Sequence, residues 1–263
     1  MTLETLPRAV MNGADREIRG LVTDSLARFG GSPSDPVARR LMSQSLTGDI
    51  ERLRTRASYS QKNYLAEIYS PSQLVGTLEP ANYDPGAVNT VLSNTWNRQV
   101  ELYADRELMH PLDRSDLLTL PGGISDELTE EAISKFIDRT VAELGQHVRQ
   151  AARGAVINTT RKNGDKWQRV MVGKSCAFCA LLVSRGAVYS EKTVTFKSHA
   201  NCDCSAAVVK SINRKEQYFA TEQQQQEVVK LKDKWNEIYV KGGRYADSNE
   251  ARRAFGIWYR SQQ

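Results

Sequence analysis

Cysteine and histidine are scarce in these 263 residues, with four of the first and three of the second, and every cysteine falls between Cys176 and Cys204. Two disulfides could form among them, but a chain kept in a reducing cytosol is not expected to hold them. Long apolar runs are missing as well: none approaches the roughly 18–20 residues that a membrane-spanning helix requires. The N-terminus lacks the basic region and apolar core of a secretory leader, so synthesis and retention in a reducing cytosol, or packaging from it, are expected. Charge is not strongly one-sided either. A formal balance of +5 makes a solvated surface the ordinary reading and contact with nucleic acid the minority one. What is present, 40% hydrophobic and 25% charged residues, is the composition of a globular protein of one large or two modest domains.

Familiar catalytic signatures are also absent. Gly173-Lys174-Ser175 resembles the tail of a phosphate-binding loop, but the pattern needs a glycine where Gln168 stands, and nucleotide binding there is excluded. Neither His-Glu-x-x-His nor Gly-x-Ser-x-Gly occurs, which removes the common zinc-peptidase and serine-hydrolase chemistries.

Helical periodicity dominates the rest. Leu6 to Phe29 carries Val10, Ile18, Leu21, Val22, Leu26 and Phe29 at helix-compatible spacing before Gly30-Gly31 stops it. Val37 to Leu46 and Asp49 to Tyr69 read as two further helices broken near Thr47-Gly48. Arg52, Arg54 and Arg56 are too closely spaced to line one helical face and read as solvated. Prolines 71, 80 and 85 make a connector, after which Ala87 to Leu108 regains a stripe including Trp96, read as core. A boundary near residue 120 gives three segments: a helical region over 1–120, a second domain over 121–209 and a C-terminal helical segment over 210–263. Ser125 and Asp126 cap a long amphipathic helix reaching about Arg161. His147 on it reads as a hydrogen-bonded, partly buried side chain rather than a ligand. Asn163-Gly164-Asp165 is a turn, and Trp167 to Val172 alternates like a strand. Beyond Cys204 the sequence is helix-prone. Val229, Leu231, Trp235, Ile238 and Tyr239 read as anchors of one helix, and Phe255, Trp258 and Tyr259 sit on a last one opened by Asp247 and Glu250.

The cysteines form a recognisable donor pattern: Cys176-Ala-Phe-Cys179, a spacer, then His199-Ala-Asn-Cys202-Asp-Cys204. Zinc takes four thiolate or imidazole ligands at roughly 2.0–2.3 Å in tetrahedral geometry, and one tight Cys-x-x-Cys turn supplies two of them. His199, Cys202 and Cys204 supply the remainder, five candidates for four positions. Cys176, Cys179, His199 and Cys202 are favoured because His-x-x-Cys repeats the first spacing. Whether Cys202 or Cys204 completes the site stays open. Two disulfides, a redox Cys-x-x-Cys and a catalytic Cys–His pair are the competing readings; each leaves part of the cluster unused or needs an oxidising compartment. Four such ligands close the coordination sphere, which is the form of a structural zinc site. Leu181-Leu182-Val183, the Arg185-Gly186 turn and the β-prone stretches after it suggest a small hairpin pinned by the metal, whose binding free energy would contribute to folding. Arg185 reads as a salt-bridging or contact residue.

These residues carry a resemblance. Trp167-Gln-Arg-Val, Cys176-Ala-Phe-Cys179, Ser184-Arg185-Gly186-Ala187-Val188-Tyr189 and His199-Ala-Asn-Cys202-Asp-Cys204 together resemble the phage Mu protein F-like (MuF) domain over about Ser125 to Val209. That family comprises minor capsid and head-morphogenesis proteins of tailed phages, and this version is most similar to those of actinobacterial phages. The resemblance implies a low-copy virion protein on the portal inside the head, present in the host cytoplasm during assembly, contacting the portal protein, the capsid interior and packaged DNA, and assisting DNA ejection. It implies scaffolding rather than turnover; capsid-maturation protease, using Cys204 with His199, is the alternative, and a zinc-dependent nucleic-acid-binding module is another. Toxin modules fused to some relatives are not expected here, since no Glu-x-Glu motif occurs. The fold class expected is α+β and predominantly helical, with a metal-pinned β-hairpin domain followed by C-terminal helices.

Overall fold

The computed structural model describes residues 8–29, 33, 35–107, 126–173, 175–186, 202–240 and 248–263. The architecture is α+β and mostly helical, with one three-stranded antiparallel sheet among the described residues. Packing divides the chain into two units that are interleaved along the sequence. One comprises Asn12–Leu53 and Ala81–Val148; the other comprises Met1–Met11, Arg54–Pro80 and Arg149–Gln263.

The first unit is helical. Helices α1 (Arg8–Arg28), α2 (Pro36–Tyr59), α5 (Gly86–Glu107) and α6 (Asp126–Lys162) all supply residues to it. Each carries a buried stripe at spacings of three and four: Ala14, Ile18, Val22 and Leu26 on α1, and Met42, Leu46, Ile50 and Leu53 on α2. Thr95 on α5 meets Thr140 on α6 at 3.1 Å, and the Trp96 ring stands edge-on to Phe136 with centroids 6.0 Å apart. Trp96 is thus packed against core, as its spacing suggests. Tyr83 and His147 share a 2.8 Å hydrogen bond through Nδ1, the partly buried histidine expected.

One helix is longer than the sequence implies. The break predicted at Thr47-Gly48 does not occur, and α2 runs unbroken to Tyr59. A glycine inside a helix costs about 1 kcal/mol relative to alanine, which the buried run of Leu46, Ile50 and Leu53 outweighs. Thr47 stays in register by donating its hydroxyl to the Ser43 carbonyl at 2.7 Å.

The second unit is a sheet covered on both faces. The short helices α3 (Lys62–Ala66) and α4 (Pro71–Leu74) belong to it. Helix α6 ends in a Schellman motif: the Asp165 N–H reaches the Thr160 carbonyl, the Gly164 N–H reaches that of Arg161, and Gly164 takes φ +69°. The chain then enters β1 (Lys166–Met171), followed by α7 (Ala177–Val183), β2 (Cys204–Ile212), β3 (Lys215–Phe219), α8 (Glu222–Val240) and α9 (Ser248–Ser261). Strand order is β1-β2-β3, with Trp167 opposite Val208 and Met171 opposite Cys204. Trp167, Cys204, Ala206 and Val208 pack with Tyr64, Leu65, Ala155 and Val156, placing α3 and the last turns of α6 on one face. Val170 and Ala207 pack with Leu231, Phe255 and Tyr259, placing α8 and α9 on the other.

Three expectations are corrected here. The chain after Cys204 is not helix-prone: it forms the β2–β3 hairpin, turned by Asn213 and Arg214 at φ +52° and +64°, the two-residue geometry that matches strand twist. The run Ala206-Ala-Val-Val lacks alternation because both of its faces are covered. Leu181-Leu182-Val183 is likewise helical, the end of α7, and not part of a hairpin. Val229, expected as an anchor, is exposed while Val228 is buried. Asp247, offered as a cap for α9, and the β-prone stretches after Gly186 lie outside the described residues.

Candidate metal centre

The cysteines are delivered by two pieces of backbone. Cys176 caps α7 in an extended conformation, its sulfur accepting the Cys179 N–H at 3.4 Å. That single cap supplies the first pair on one turn of helix. The Val172 N–H donates to the Asp203 carbonyl at 2.8 Å, drawing the exit of β1 against the entrance to β2. Cys202 precedes β2 and Cys204 is its first residue.

The thiols converge. Ligand atoms of Cys176, Cys179 and Cys202 all lie within 4.8 Å of one another. The Cys202 sulfur is 2.9 Å from that of Cys179 and 3.4 Å from that of Cys204, and Cys204 is 3.6 Å from Cys179. Zinc–sulfur bonds near 2.3 Å put tetrahedral sulfurs roughly 3.8 Å apart, so these separations approach the edges of a ligand tetrahedron. Cys176 is exposed and the other three are buried, all four as free thiols. Cys176, Cys179 and Cys202 thus form one group, with Cys204 at its side, while His199 lies outside the described residues. The donor set is soft and thiolate-rich, which suits zinc among the common divalent ions. Hydrogen bonding with Cys202 and Cys204 pushes the Cys179 thiol far up, while the bonds Cys202 shares with Cys179 and Cys204 draw it far down. Holding a metal at these sulfurs would require their deprotonation.

Three buried arginines lie in this unit, two of them in contact with the cysteine group, and the sequence patterns did not single them out. Arg149, Arg153 and Arg169 are exposed by only 2%, 0% and 1%. Arg153 donates through Nε to the Cys204 carbonyl at 2.8 Å and through Nη2 to the Cys202 carbonyl at 2.7 Å. Arg169 directs Nη1 at the sulfurs themselves, 3.2 Å from Cys204 and 3.7 Å from Cys179. Burial lowers the pKa of Arg153, and Cys204 opposes that shift. A trace of this arrangement was available: Arg149 and Arg153 are spaced i, i+4 within the apolar stripe of α6, and Arg169 shares strand parity with Trp167.

A family model described as VG15 protein matches residues 121–238, a span that includes the cysteine cluster and all three strands. VG15 is a family of phage proteins. The match supports a phage protein. No curated protein and no solved structure matches the chain. No helix among the described residues is long and apolar enough to cross a membrane.

Proposed function

We propose that this protein is a minor capsid, head-morphogenesis protein of a tailed phage, acting as a portal-associated scaffold inside the head, and that its cysteine cluster is a structural zinc staple. The observation that carries the staple is the convergence of Cys176, Cys179 and Cys202 from two separated segments within the region matched by the phage family. The MuF resemblance over the same residues supports the capsid role. Zinc, when bound, supplies a cross-link between the α7 turn and the entrance to β2; Cys176, Cys179 and Cys202 would hold it, with the fourth position left to His199 or Cys204. The full burial of Cys204 favours packing over attack on a peptide substrate, and so favours a scaffold over a Cys–His protease.

Metal analysis and thiol counting on the full chain, purified without chelator, test the staple. About one zinc per chain is expected, and Cys176→Ser is expected to lose it. Disulfide-bonded thiols in a zinc-free chain would overturn it. The capsid role is tested by co-sedimentation with portal rings of the same phage, where absence from the portal fraction and from virions would count against it.

A further inference from the structure

Burying one guanidinium is costly, and burying three side by side is costlier, because desolvation is compounded by mutual repulsion. All three are nevertheless almost wholly buried, and two of them contact the cysteine cluster. The two whose contacts to it are direct divide the work. Arg153 grips backbone, donating to the carbonyls of Cys202 and Cys204. Arg169 grips sulfur, with one Nη1 reaching both Cys204 and Cys179. A divalent cation held by three or four thiolates remains net negative, and an ordinary neutral thiol is only a weak acceptor. Guanidinium groups aimed at this point therefore complement the metal-loaded, anionic state better than the protonated thiols.

We infer that Arg169 is the counter-ion of the loaded centre: a positioning residue that reads the sulfurs of Cys179 and Cys204 and sets the affinity for zinc, while Arg153 fixes the backbone that presents Cys202 and Cys204. This rests on the zinc reading above and adds a residue that touches the ligands without being one. It also gives Cys204 a defined place: its sulfur is the one Arg169 approaches most closely, whichever group completes the coordination sphere.

Zinc affinity of the full chain, measured by competition with a chromogenic chelator, decides the matter for wild type, Arg169→Gln and Arg169→Lys, with circular dichroism on each. Outer partners of metal ligands typically contribute roughly 10–100-fold in affinity, and a loss in that range is expected for Arg169→Gln. Lysine keeps the charge without the planar fork, so Arg169→Lys should lose less, about severalfold. The sulfur-to-metal charge-transfer bands of the cobalt(II)-substituted protein should shift in both variants, which a merely space-filling role would not produce. Zinc affinity and cobalt bands unchanged in Arg169→Gln overturn the inference while leaving the zinc staple intact. If Arg169→Gln does not fold, Arg169→Lys decides by the same two readouts: unchanged affinity and bands overturn it, and a severalfold loss with shifted bands supports it. A wild-type chain with no zinc affinity overturns the staple and this inference with it.

Discussion

A single hydroxyl shows how much one atom carries in the second unit. The Tyr64 phenol donates to the Phe219 carbonyl at 2.7 Å and accepts the Val208 N–H at 2.9 Å. Val208 and Phe219 are partners across β2 and β3, so a side chain from α3 completes the ladder where the hairpin ends. Tyr64→Phe keeps the ring and removes both bonds, leaving the buried Val208 N–H without its phenol partner. Such an orphaned donor costs about 1–3 kcal/mol, and chemical denaturation should show a loss of that size with an unchanged denaturant slope. Burial pushes the phenol above its ordinary value near 10 while the Val208 bond pulls it partly back. Because the folded value is the raised one, the contribution is fully present below about pH 10 and fades only as pH climbs through the alkaline range. The difference between Tyr64→Phe and wild type should therefore be flat around neutrality; a difference that varied there would point to another group.

Among the elements, α2 offers the cleanest separation of propensity from packing. Gly48 lies mid-helix on an exposed position, and a methyl group added there would meet nothing within 4 Å. Gly48→Ala should raise stability by about 0.4–1 kcal/mol, chiefly by narrowing the unfolded ensemble; a lower thermal midpoint would show that the glycine is needed in α2. The same residue explains why the sequence suggested a break. Glycine beside threonine is a local stop, whereas the decision was made by Leu46, Ile50 and Leu53 on the far face. Helices whose apolar stripes are regular, α1, α5 and α6, were legible for that reason. Strands β2 and β3 were not: Ala206 to Val209 is buried on both faces and shows no alternation, and β3 is exposed along nearly its whole length. The grouping of Cys176, Cys179 and Cys202 was legible because ligand chemistry restricts spacing locally. Arg153 and Arg169 were not, since a buried arginine looks like a surface one until its partners, far away in sequence, are in place.

For the whole molecule, the proposed zinc staple would give the unit built on Arg54–Pro80 and Arg149–Gln263 a link that sequence-local forces do not supply. The sheet is small, and α7 has only seven residues, below the length at which helices hold without tertiary support. Ala180, Leu181 and Val183 pack α7 against Val170, Ala207 and Phe255; a metal on the cysteine group, as proposed, would add a link to the entrance of β2 and stabilise that unit by the free energy of binding, in proportion to its occupancy. The unit formed by Asn12–Leu53 and Ala81–Val148 contains none of these cysteines and draws its stability from helical stripes. Removing metal from the full chain with a strong chelator should therefore act unevenly. Hydrogen exchange is expected to speed up across β1, α7 and β2, while the buried turns of α1 and α5 keep their protection. Restoring zinc should reverse the change, and magnesium, which prefers oxygen ligands, should not. Uniform loss of protection throughout both units would show that the cluster supports the chain globally, and no change anywhere would remove the metal from the folding energetics altogether.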